Sequence, residues 1–142
     1  MSDFDRCVEK RRLLPLAVTS PDVVQNEMRL AREDLASTDI LLEHGHWRRA
    51  AATAYYAMFH AARALVLQRG YAEKSHYCLL VAFRHFHDGS TEGQALARGI
   101  EMARILRENA DYDGAASEES ARDAATVARK FVGFATRTLT ED

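Results

Sequence analysis

The amino-acid sequence predicts an all-α fold, an up-and-down bundle of about five helices. Three observations carry that expectation. Apolar residues recur at alternating spacings of four and three along most of the chain. No segment alternates with period two, as a half-buried strand would. Two prolines and seven glycines in 142 residues leave little material for a strand-and-turn architecture.

Residues 1–20 read as a lead-in segment and residues 21–142 as the helical domain. In the lead-in, Pro15 stops any early helix. Ser20-Pro21 then signals a helix start, a capping side chain followed by proline at the first helical position. Val24, Met28, Ala31, Leu35, Thr38 and Leu42 form one buried stripe of a long helix, which Gly45 closes by taking the left-handed cap conformation. A second helix runs from about Trp47 to Arg69 and ends at Gly70. Its centre, residues 50–62, is apolar on nearly every face. Such a helix must be covered on most sides, so it is expected at the centre of the bundle and as a candidate dimer surface.

Lys74-Ser75-His76 opens a third helix that carries Leu79, Leu80, Phe83 and Phe86 and breaks at Asp88-Gly89. A fourth starts at Thr91, turns Leu96, Ile100, Ala103 and Leu106 inward, and ends in the turn cluster around Asp111-Tyr112-Asp113-Gly114. Ser117 followed by Glu118 and Glu119 suits the start of a fifth, with Ala121, Ala124, Ala128, Phe131 and Ala135 as its stripe. Short connections favour antiparallel neighbours.

Bulk properties exclude several classes of function. A hydrophobic fraction of 47% and a charged fraction of 28% are ordinary for a globular protein. Net charge is −2, so nothing pulls the whole chain toward nucleic acid, and any RNA site must be a local patch. No run of about 18 apolar residues is available to span a bilayer. The charges from Asp3 to Arg12 would not be tolerated in a secretion signal. Cys7 and Cys78 lack metal-ligand spacing and fit a reducing cytoplasm.

Most enzyme signatures are missing: no glycine-rich phosphate loop, no nucleophile elbow, and no cofactor motif. The histidine pairs His44/His46 and His85/His87 are two apart and point in different directions on a helix, so no metal is expected. Ser75 reads as a cap rather than a nucleophile. Lys74 either is solvated or meets a phosphate, and His76 stands beside it. His60 sits mid-helix among small residues, where a packed, hydrogen-bonded histidine is the plainer reading and a chemical role the alternative. The aromatic run from Tyr55 to Phe59 reads as core. Arg104 and Arg107 lie three apart on one helical face, and Asp111 follows Arg107 by four. A routine ion pair and a phosphate-binding guanidinium fork fit that spacing equally.

Taken together, the string Tyr55-Tyr56-Ala57-Met58-Phe59-His60-Ala61-Ala62-Arg63-Ala64-Leu65, then Gly70, then Lys74-Ser75-His76 leading to Phe83, then Arg107 through Ala110-Asp111-Tyr112, resembles the HEPN (higher eukaryotes and prokaryotes nucleotide-binding) domain. The branch it is most similar to is the small prokaryotic proteins of the UPF0332 type, over roughly residues 21–138. The resemblance implies a helical bundle that forms a homodimer, often beside a minimal nucleotidyltransferase in a toxin–antitoxin pair. It also implies metal-independent ribonuclease chemistry by an arginine and a histidine four to six residues beyond it, two copies meeting at a dimer cleft. Arg107 matches the arginine; the three eligible histidine positions hold Tyr112, Asp113 and Gly114.

That departure has a chemical meaning. Cleaving RNA through its own 2′-hydroxyl needs a base with a pKa near neutrality, whereas an ordinary phenol, with a pKa of about 10, stays protonated at pH 7. The expectation is therefore a nucleotide- or RNA-associated interaction module with a degenerate ribonuclease site. Its candidate residues are Arg107 and Tyr112, with Arg104, Asp111, Lys74, His76 and His60 around them. The alternatives are an active ribonuclease toxin that draws its base from His60 or His76, and a purely structural dimerisation domain. In a related branch a tyrosine receives AMP from the partner nucleotidyltransferase, so the resemblance also makes Tyr112 a candidate modification acceptor.

Overall fold

The computed structural model describes residues 1–114 and 116–141, with the backbone alone described at 111–113. Along the described residues run α1 (Asp3–Glu9), β1 (Leu13–Pro15), α2 (Pro21–Glu43), α3 (Trp47–Gln68), β2 (Tyr71–Glu73), α4 (His76–His87), α5 (Thr91–Asp113) and α6 (Glu118–Glu141). The protein is a helical bundle with one small sheet. Five of its six helices are those the periodicity predicts; the sixth, α1, lies in the segment expected to be a lead-in. Its sequence signal is a capping box: the Ser2 hydroxyl accepts from the Asp5 amide and the Asp5 carboxylate accepts from the Ser2 amide.

Punctuating residues set the other helix ends. Gly45 and Gly70 hold φ of +74° and +88°, a region that L side chains avoid, and so end α2 and α3. Ser75 caps α4 by accepting from the Cys78 amide at 3.1 Å. Ser90 caps α5 by accepting from Gly93, and Ser117 accepts from Ser120 at the start of α6. Ser20 departs from expectation, since its hydroxyl makes no capping bond and Pro21 alone marks the start of α2.

The helix α3 is the axis of the bundle. Ala50, Ala51, Ala54, Ala57, Ala61 and Ala64 are fully buried, and α2, α4, α5 and α6 all pack against α3. Covering of its apolar faces is thus supplied within the chain. Phe83 of α4 and Phe131 of α6, both fully buried, meet with ring centroids 4.9 Å apart. Between α2 and α3 the hydroxyls of Thr38 and Thr53 bond at 2.6 Å.

At one end, β1 and β2 pair antiparallel, Leu13 with Glu73 and Pro15 with Tyr71. Strands of three residues are too short to display period-two alternation, which is why the sequence hides them. A disulfide joins Cys7 of α1 to Cys78 of α4, closing a sequence separation of 71 residues. This corrects the reading of the cysteines as thiols and removes the support that reading gave to a reducing compartment. Spacing alone cannot reveal that α1 packs on α4, where the Phe4 ring stacks on His85 at 3.9 Å. Among the described residues, no helix is long and apolar enough to cross a membrane.

Candidate functional site

Three helices converge on one cluster. Consecutive residues on a helix point about 100° apart, so Tyr55 and Tyr56 of α3 serve different ends. Tyr55 is buried, and Tyr56 reaches the surface. Arg107 on α5 lies over both rings, its guanidinium carbon 5.3 Å from the Tyr55 centroid and 5.4 Å from that of Tyr56. One guanidinium nitrogen donates to the Tyr56 hydroxyl at 2.7 Å. From the first turn of α4, His76 meets the Tyr55 hydroxyl through Nδ1 at 2.7 Å, and its ring packs on Phe59 at 4.8 Å. Tyr55 therefore touches both the arginine and the imidazole, its face under one and its hydroxyl on the other.

The electrostatics follow from this packing. Burial pushes the Tyr55 phenol up to about 12, against the opposing pull of Arg107, so the phenol keeps its proton. Burial, and then the cations Arg107 and Arg104, hold His76 below the ordinary imidazole value, so at pH 7 it is neutral. A protonated phenol beside a neutral imidazole either donates to Nδ1, leaving the hydrogen on Nε2, or accepts from Nδ1–H, leaving Nε2 as an acceptor. In the first of these His76 carries an N–H donor at Nε2, the nitrogen not bonded to Tyr55.

The lowered His76 value makes stability pH-dependent. The unfolded imidazole titrates near 6.5, and the folded one lower, so the folded state binds fewer protons in between. The contribution is complete above the unfolded pKa and is lost as pH falls through it toward the folded value. Urea midpoints measured from pH 8 to pH 5 should therefore fall more for the wild type than for His76→Asn. Parallel curves would show that the imidazole titrates alike in both states.

Of the other residues singled out in the sequence, Arg104 borders the cluster with its guanidinium engaged by Glu101 at 2.7 Å and Glu108 at 2.9 Å. The Glu101 hydrogen bond, followed by desolvation working the other way, leaves its pKa raised. Lys74 is exposed in the turn between β2 and α4. The side chains of Asp111 and Tyr112 lie outside the described residues. His60 belongs to a separate network: Nδ1 bonds Glu27 at 2.6 Å and Nε2 lies 3.7 Å from Asp34. Arg63 extends that network to Glu27 at 3.7 Å and Glu73 at 2.9 Å. There the imidazole is a packed, hydrogen-bonded side chain, the plainer of its two sequence readings. Among the described residues, no group of three or more His, Cys, Asp or Glu could hold a metal ion.

The sequence reading passed over Tyr55 and Tyr56. An available signal was the doublet itself, since two phenols pointing about 100° apart need separate hydrogen-bond partners.

Beside the cluster, α3, α4 and α5 enclose a pocket of about 260 Å³, bordered by Tyr55, His76 and Arg104. On the far side of Tyr56 a more open groove runs between α2 and α3 past Arg48 and Arg49. Such a layout offers guanidinium and N–H donors to an anion, with aromatic rings beneath them.

Comparison with known proteins bears on this arrangement. The family model described as the HEPN domain matches residues 24–138. The chain is similar to the UPF0332 protein PH1297 of Pyrococcus horikoshii, 41% identical over 56 residues that cover 39% of each chain. It is also similar to the Methanocaldococcus jannaschii protein named Putative toxin MJ0605. There the identity is 33% over 121 residues, 83% of this chain and 90% of the other.

Proposed function

Because the chain belongs to the HEPN domain family, we propose that it is the toxin-like member of a two-protein pair and holds an RNA phosphodiester between Arg107 and His76. The observation that carries this reading is the shared Tyr55. Its ring supports the Arg107 guanidinium while its hydroxyl orients the His76 imidazole, so one side chain ties together two groups able to donate to a phosphate. A guanidinium offers parallel N–H donors that match phosphate geometry, and the neutral imidazole with its hydrogen on Nε2 adds one more. The partner in the pair is a minimal nucleotidyltransferase, as the resemblance implies. A direct test is titration of labelled single-stranded RNA at rising salt. Affinity should be measurable at low salt and fall steeply as salt rises, as phosphate contacts do. Absence of binding at low salt would overturn the reading.

A second reading, ribonuclease activity, is favoured by the lowered His76 pKa. In the tautomer with hydrogen on Nδ1, Nε2 is free to accept a proton from a 2′-hydroxyl. Cleavage of labelled RNA that is lost in His76→Ala, without metal dependence, would establish it.

Homodimerisation fits a different face from the one helix α3 suggested. Met102 and Ile105, 70% and 46% exposed, stand on α5 beside a largely apolar groove between α5 and α6. Arg107 projects from another side of α5, against α3, so an isologous contact there would leave each Arg107 site uncovered. Light scattering at micromolar concentration should return about twice the monomer mass of 16.0 kDa, and Met102→Glu should return the monomer. A monomeric wild type would remove the dimer.

A further inference from the structure

The pocket beside the cluster has a wall in common with the Arg107 site, because Tyr55 lines the one and lies beneath the guanidinium of the other. Its interior is apolar, formed by Phe59 of α3, Leu80 and Phe83 of α4 and Ile100 of α5. Its polar lining carries hydrogen-bonding groups of both signs, with Arg84 and Arg104 as donors and the Glu101 carboxylate as acceptor. Resting on the reading of Arg107 as a phosphate contact, we infer that this pocket receives one base of the bound RNA and that Glu101 selects guanine.

The size and the chemistry of the pocket both point that way. Ligand pockets start at roughly 300 Å³, so about 260 Å³ holds one ring system and little more. An aliphatic anchor from a protein partner would match the floor and leave the charged lining without purpose. A nucleobase matches both, with flat apolar faces for the floor and a hydrogen-bonding edge for the charged groups. Among the bases, guanine alone presents two adjacent N–H donors, N1–H and the N2 amino group, on its Watson–Crick edge. Two carboxylate oxygens can accept both at once. Arg104 holds Glu101 through Oε1 at 2.7 Å, which fixes the position of the carboxylate on the α5 wall. Arg84, on α4, supplies donors of the type that read guanine O6 and N7. Glu101 is partly buried, its side chain 34% exposed, so the discrimination is made at the edge of water rather than in bulk.

The test uses the full-length protein and four labelled pentaribonucleotides, oligo-U carrying G, A, C or U at the centre, titrated by fluorescence anisotropy at one low salt concentration. Since a good bidentate pair discriminates by about tenfold or more, the G strand should bind at least that much tighter than the other three. Glu101→Gln should bring the four affinities together, with the helical circular dichroism spectrum unchanged, while Arg107→Ala should weaken all four alike. Four equal affinities that still depend on Arg107 would overturn the base pocket and leave the phosphate reading standing. A G preference that survives Glu101→Gln would overturn the role of Glu101. No binding of any strand would overturn both inferences.

Discussion

Replacing Arg107 with alanine should weaken RNA binding by about ten- to a hundredfold, the loss of a charge-assisted, two-pronged contact. The guanidinium has alternatives to phosphate, since it already donates to the Tyr56 hydroxyl and lies on two tyrosine rings. Those contacts fix its position before any ligand arrives, which lowers the ordering cost of binding. Arg107→Lys should recover only part of the loss, because an ammonium keeps the charge but lacks the planar fork. The affinity of Arg107→Ala should also depend less steeply on salt, by the share of one phosphate contact. Equal affinity in wild type and Arg107→Ala, read by anisotropy, would return Arg107 to a structural role.

Opening the Cys7–Cys78 bond should lower the unfolding free energy by about 4 kcal/mol, the chain-entropy value for a closed loop of this length. The separation of 71 residues encloses α2, α3 and both strands. Guanidinium unfolding of the oxidised protein and of Cys7→Ser, followed by circular dichroism, measures the difference directly. Because Cys78 sits two residues beyond His76, local loosening of the first turn of α4 should accompany it. Faster amide exchange at Cys78, whose N–H is held by Ser75, is the signature to look for. Equal midpoints would show that packing of Phe4 on His85 and Phe86 holds α1 in place without the bond.

The major helices were legible because their ends are written in local chemistry. Gly45, Gly70, Ser75 and Ser117 act on their own neighbours, and a reader of the sequence meets both parties within four residues. What stayed hidden depends on partners far along the chain. Leu13 meets Glu73, Cys7 meets Cys78, and His60 finds Glu27 33 residues earlier. The candidate site divides in the same way. Arg107 and His76 stand out by residue type and position near helix ends. Tyr55 does not, because a residue only 2% exposed looks like core until the packing of α4 shows where its hydroxyl goes.

The contact between α2 and α3 poses a problem of its own. On the α3 side that contact is largely alanine and nearly featureless, so the alignment rests on what α2 brings to it: buried Val24, Met28 and Leu42, and its polar residues. Ala54, Ala57 and Ala61 offer few protrusions to oppose a slip of one helix along the other. The polar pairs oppose it. Displacing α2 by about 5.4 Å would take Thr38 from Thr53 and Glu27 from His60, breaking the polar contacts that cross the interface. These pairs thus act as index pins for one axial alignment. Replacing both Thr38 and Thr53 with valine would keep the contact greasy and well filled while removing one pin. The surviving pin, Glu27 with His60, would then hold α2 in place together with the buried Val24, Met28 and Leu42.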